Sequence, residues 1–135
     1  MKSKILFNDR EILIEERSRG ICLSYSKITD FSTDKPYIRI STTDKKIIYL
    51  DTTLTELETQ LPPFFFRCNQ SSIVNLLLIT TYRLNKRKYI LSIGLEKEFS
   101  VSTQNRKKFK EILFFYKTNN FYSNNCLCCK KAWNP

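Results

Sequence analysis

The chain has 135 residues, 41% of them hydrophobic, which suits one domain with a modest core and leaves too little for two. Its formal net charge is +10, and its longest apolar run, residues 73–79, is interrupted by Asn75 and far too short to span a bilayer. Histidine is absent and Gly20 and Gly94 stand alone, so the commonest general base, His-containing metal sites and a Gly-rich phosphate loop are all excluded; no enzyme activity, cofactor or small-molecule substrate is expected.

Residues 1–7 open like a signal peptide but meet Asn8, Asp9 and Arg10 at once, too early to direct secretion. Residues 1–11 are therefore expected as an N-terminal extension of a cytoplasmic domain over residues 12–116. Residues 12–16 and 21–24 flank Arg17-Ser18-Arg19-Gly20 and read as a hairpin. Strands over 28–32, 37–42 and 46–50 follow, joined by Asp34-Lys35-Pro36 and Thr43-Asp44. With only two glycines, the turns are expected to rely on Asn, Asp, Ser and Pro.

A short helix begins at Thr53-Leu54-Thr55-Glu56, whose spacing is that of a capping box. Leu54, Leu57 and Leu61 share one face, and Pro62-Pro63 ends the helix because proline lacks an amide hydrogen. Two apolar runs, 64–68 and 73–79, flank a polar island of Asn69, Gln70, Ser71 and Ser72. Strands are expected over 80–84, 89–93 and 98–101, the first two joined by Asn85-Lys86-Arg87-Lys88. A second helix should follow Ser102, with Phe109, Ile112, Leu113 and Tyr116 forming its apolar stripe and Arg106, Lys107, Lys108 and Lys110 lying away from it.

The charge is unevenly divided. Residues 1–60 hold ten Lys/Arg and ten Asp/Glu, whereas 61–135 hold thirteen Lys/Arg against Glu96, Glu98 and Glu111. A one-sided basic field attracts a polyanion, nucleic acid or an anionic membrane. The five cysteines, Cys22, Cys68, Cys126, Cys128 and Cys129, form no regular framework, and an odd count suits a reducing compartment. Residues 117–135, rich in Asn and Cys, read as a poorly ordered tail; its three thiols lack the fourth ligand of a structural zinc site.

Taken as a unit, Thr53-Leu54-Thr55-Glu56-Leu57-Glu58, Leu61-Pro62, Phe65-Phe66-Arg67-Cys68-Asn69-Gln70-Ser71-Ser72-Ile73-Val74-Asn75 resembles the signature of the LytTR family of bacterial DNA-binding domains. Ile28-Thr29-Asp30-Phe31, Tyr37-Ile38-Arg39-Ile40 and Thr43-Asp44-Lys45-Lys46 resemble its early strands, and Phe99-Ser100-Val101-Ser102 its closing segment. The likeness spans roughly residues 12–113, about one domain.

This resemblance implies a mainly β fold, an elongated arrangement of small antiparallel sheets with one short helix in the middle and one near the C-terminus. It also implies sequence-specific binding of double-stranded DNA, through strand-end loops in the major groove, and regulation of transcription. The chain resembles stand-alone members without a receiver domain, some of which work with a membrane-bound regulatory partner. Base contacts are implied at Tyr37, where the family can have histidine, at Asn69 and Gln70, where histidine plus a basic or amide residue is usual, and at Gln104, where arginine is common. Backbone contacts are implied at Arg67, Ser71, Ser102, Arg106 and Lys107, with amides at the second helix's N-terminus.

Asn and Gln amides match adenine in the major groove, so contacted positions are expected to be rich in A·T pairs, within repeated sites bound by two copies. Some of these residues have a structural reading as well. Asn69 and Gln70 could cap a turn, Arg67 and Asn75 could fix the loop through backbone hydrogen bonds, and Lys86-Arg87-Lys88 could be a solvated hairpin tip. Two functional alternatives stay open: a LytTR-like fold with weakened DNA binding that serves as a protein-interaction module, and an RNA-binding protein using aromatic-rich strands.

Overall fold

A computed structural model describes residues 4–123, with side chains through Thr118; the cysteines at 126, 128 and 129 lie outside the described residues. Three antiparallel sheets form the molecule. The first comprises β1 (Lys4–Phe7), β2 (Glu11–Glu16) and β3 (Arg19–Ser24) in that order. The central one has five strands, β4 (Ile28–Asp34), β5 (Tyr37–Thr42), β6 (Ile47–Leu50), β7 (Phe65–Asn69) and β8 (Ser72–Asn75), arranged β6-β5-β4-β8-β7. The third is the meander β9 (Thr81–Asn85), β10 (Lys88–Ile93) and β11 (Lys97–Val101). Helix α1 (Leu54–Gln60) links β6 to β7, and α2 (Arg106–Ser123) closes the described chain. The mainly β class expected from sequence holds.

Alternation along β7 and β8 explains how the central sheet serves two cores. Successive side chains of a strand point to opposite faces. Phe65 and Ile73 enter one core with Ile12, Ile14, Phe31 and the leucines of α1, while Phe66, Cys68 and Val74 enter another with Leu91, Val101, Phe109 and Leu113. Edge-to-face rings consolidate the first, Phe65 standing 5.5 Å from Phe31 and 5.6 Å from Tyr25. The first sheet and α1 thus cover one face of the central sheet, and the meander and α2 cover part of the other.

Several local expectations are refined. Thr53 caps α1 by accepting from the Glu56 amide at 3.1 Å, but the Glu56 carboxylate accepts from the Thr52 and Thr53 hydroxyls at 3.4 Å, where a capping box would use the Thr53 amide. Residues 73–79 are a short strand followed by a 3-10 turn, Leu76–Leu78, and Asn75 is its cap, accepting from the Leu77 amide at 3.0 Å. The buried Asn75 also donates to the carbonyls of Tyr25 and Ile28 at 3.1 and 3.0 Å, a structural role. Side chains of Asn8 and Asn69 close turns as the composition suggests, while the left-handed positions are taken by Arg17, Lys45 and Lys86 as well as Gly94.

Within the described residues, the parts of both expected terminal segments carry more structure than composition suggests. Residues 4–7, expected as an extension, pair with β2, Ile5 opposite Ile14 and Phe7 opposite Ile12. Helix α2 continues beyond Tyr116, where a tail was expected to start, and Lys117 donates to the carbonyls of Leu77 and Ile79 at 3.2 and 3.1 Å. Burial holds that lysine's pKa below its ordinary value. Lys110 is not turned away from the apolar surface, because its ammonium lies 5.3–5.6 Å from the rings of Phe114, Tyr89 and Tyr82. No helix among the described residues is long and apolar enough to cross a membrane.

Candidate nucleic-acid interface

Antiparallel register gathers three connections at one end of the central sheet. Asp34 pairs with Tyr37 at the β4–β5 turn, Ser32 pairs with Ser72, and Asn69 pairs with Ser72 at the β7–β8 turn. The Thr33 amide donates to the Ser71 carbonyl at 3.0 Å, extending the β4–β8 ladder to that turn. The chain leaving β11 joins the same end, since the Ser102 amide donates to the Cys68 carbonyl at 2.8 Å. It then makes a 3-10 turn, Thr103–Asn105, before α2 starts at Arg106, three residues later than a helix beginning directly after Ser102 would.

Between the two segments lies an open groove of about 900 Å³ lined by Asn69, Gln70 and Ser71 on one side and Ser102, Thr103 and Gln104 on the other. Arg67, Lys88 and Asn105 complete its wall. Gln70, Ser71 and Gln104 are exposed. Tyr37 is exposed at the same end but outside the groove, two strands from β8 and so about 10 Å away across the sheet. Its ring stands edge-on to Tyr49 at 6.3 Å.

The β7–β8 turn is built by its own neighbours. Arg67 donates from Nε to the Asn69 carbonyl at 2.9 Å, from Nη2 to the Gln70 carbonyl at 2.9 Å and from Nη1 to the Glu58 carboxylate at 3.1 Å. The guanidinium expected at a phosphate is therefore engaged within the protein. Asn69 is likewise occupied: its Oδ1 accepts from the Ser71 amide at 2.7 Å and its Nδ2 donates to the Ser100 carbonyl at 2.7 Å. This is a turn-closing Asx arrangement, which leaves the next side chain, Gln70, projecting to solvent. Cys68 beneath the turn is buried, and burial pushes its thiol up to about 12, so no thiolate is available there at neutral pH.

Beyond β11 the side chains are less committed. Ser102 Oγ is buried with no hydrogen-bond partner, and Asn105 reaches the Arg67 carbonyl at 3.4 Å. Arg106, also expected at a phosphate, donates to the Arg87 carbonyl at 3.0 Å and ties α2 to the β9–β10 hairpin. Lys107 is exposed. Among the described residues the ion pairs involve Arg39, Lys45, Lys46, Arg67, Arg83 and Lys97, so Lys86, Arg87, Lys88, Lys107 and Lys108 are exposed cations outside these pairs. Lys88, which the sequence left open between a solvated hairpin tip and a functional cation, is a groove residue. Its signal was register: Tyr89 pairs with Val101, which sets Lys88 beside Ser102.

A mainly β scaffold whose strand-end loops form a polar groove flanked by unpaired cations defines a candidate nucleic-acid-binding domain. The family model described as the LytTr DNA-binding domain matches residues 18–114, and the chain belongs to that family. It is a DNA-binding domain by that membership. The fold is similar to the solved LytTr DNA-binding domain of a response regulator from Bacillus cereus, with 20% identity and a TM-score of 0.67 over 78% of this chain and 98% of that one. No curated protein matches the sequence.

Proposed function

We propose that the chain is a sequence-specific regulator of transcription that binds repeated sites in double-stranded DNA in the cytoplasm, two copies to a site, with the strand-end loops in the major groove. The observation that carries this reading is the pair of exposed amides, Gln70 and Gln104, lining one groove together with Lys88. A glutamine amide donates and accepts together, matching N6 and N7 of adenine, so the contacted positions are A·T pairs. Ser71 and Lys88, lining the groove, and the exposed Lys107 at the start of α2 serve phosphates, whereas the expected phosphate contact of Ser102 is given up because its hydroxyl is buried. Asn69 and Arg67 act one step back, holding the turn that presents Gln70. Tyr37 addresses the duplex separately, from the β4–β5 turn.

Selection of bound duplexes from a random pool, followed by affinity against salt, tests the proposal. Recovery of a repeated motif with A·T pairs at its contacted positions, together with a steep salt slope, is the predicted result. Enrichment of no motif, with only weak binding to any duplex, would overturn it and favour a protein partner; preference for single strands would favour RNA.

A further inference from the structure

We infer that Glu58, on α1, is a positioning residue for DNA recognition, acting through Arg67 on the turn that carries Gln70. The inference rests on the reading that this turn meets the bases. Arg67 is the link: its Nε and Nη2 each hold a carbonyl of the turn, Asn69 and Gln70, both at 2.9 Å. Two bonds orient the planar fork, and a third on its remaining edge resists displacement of the guanidinium from both carbonyls when the turn is pulled. Glu58 holds that edge at 3.1 Å, with the Arg67 side chain only 23% exposed and that of Glu58 46% exposed.

The anchor is itself rigid. Helix α1 is capped at Thr53 and buries Leu54 and Leu57, and Leu61 just beyond its end, in the first core. Glu58 follows Leu57 on the exposed side, nine residues from its partner, and carries the position of the helix to the turn. The Arg67 carbonyl in addition accepts from Asn105 at 3.4 Å, so the same strand residue touches both groove segments. Release of the guanidinium would free a cation to swing toward any phosphate while loosening the turn. That trades discrimination for unspecific attraction.

The sign of the effect distinguishes positioning from bystander electrostatics. A carboxylate near a polyanion repels it, so removing a bystander would strengthen binding to every duplex. Positioning demands that Glu58→Ala weaken binding to the selected site by roughly threefold to tenfold, the scale of a half-exposed charged hydrogen bond, while binding to random duplex is unchanged or tighter. Glu58→Gln, whose amide oxygen still accepts from Arg67, should lose less. Glu58→Asp keeps the charge but not the reach and should resemble the alanine variant.

The experiment measures both affinities for the three variants in the full chain, and amide hydrogen exchange of Gln70 and Ser71 without DNA. Faster exchange at those amides together with a lower specific-to-random ratio is the expected result. Tighter or unchanged binding of Glu58→Ala to the selected site, with exchange unaltered, would overturn the inference. Were the wild-type chain to show no preferred site, the proposed function would fail, and the exchange rates alone would still decide whether Glu58 holds the turn.

Discussion

Around residues 69–71 side chains fix the backbone from several directions, whereas around residues 102–105 the chain is held chiefly by its own amides. The first segment has Arg67 on two carbonyls, and Asn69 closing the turn and reaching across to Ser100. The second has the Ser102 amide on Cys68, the Asn105 amide on Ser102, one long contact from Asn105 and a buried hydroxyl without a partner. A pre-fixed turn presents Gln70 in one geometry, while a lightly held one lets Gln104 adapt. Discrimination between bases should therefore concentrate at Gln70, because a donor–acceptor pair selects only when it cannot shift to suit the wrong base.

The largest effect is expected from Asn69→Ala. It removes the turn-closing bond to the Ser71 amide and the part-buried bond to the Ser100 carbonyl, lowering unfolding stability by about 0.5–1.5 kcal/mol and specific affinity more steeply than any other groove substitution. Thermal melting and duplex titration measure the two losses. Gln70→Ala should leave melting unchanged yet weaken the selected site by roughly fivefold to 150-fold, equivalent to about 1–3 kcal/mol, and relax preference at one base pair. Gln104→Ala should cost less; equal losses at the two positions would break the contrast. Lys107→Ala should lower affinity for all duplexes alike and reduce the salt slope by about one. The smallest change is Ser102→Ala, which removes the unpartnered hydroxyl and should be neutral or stabilising by up to about 1 kcal/mol in denaturant titration.

The same contrast marks what the sequence could convey. Patterns carried by near neighbours were legible: the leucines of α1, the proline stop, and the stripe of Phe109 and Leu113; the runs 64–68 and 73–79 were legible as apolar, but not that their alternate residues feed two cores. The family signature located the turn at 69–72 and the segment after Ser102. The partners of its polar residues were not legible. That Arg67 could fix the loop and Asn69 close the turn was open in the sequence beside a direct-contact reading; the fold adds the distant partners, Glu58 and Ser100.

Long-range bonds follow the same logic. Asp30 is buried and accepts from Lys97 at 2.7 Å across 67 residues, joining the central sheet to the meander, and nothing local in either strand announces it. Sequence spacing carries no information about a contact that exists only once two sheets have packed. The continuation of α2 past Tyr116 was hidden for a related reason. Thr118, Asn119 and Asn120 have weak helix propensity, yet the helix is held from outside by Lys117 on the carbonyls of Leu77 and Ile79.

The most direct test of the account is a map of backbone amide shifts as the selected duplex is titrated into isotope-labelled protein. Perturbations centred on Gln70, Ser71, Thr103 and Gln104, with a separate one near Tyr37 and none in the first sheet, are predicted. Perturbations centred on β1–β3 or the exposed side of α1, with the groove unmoved, would contradict it.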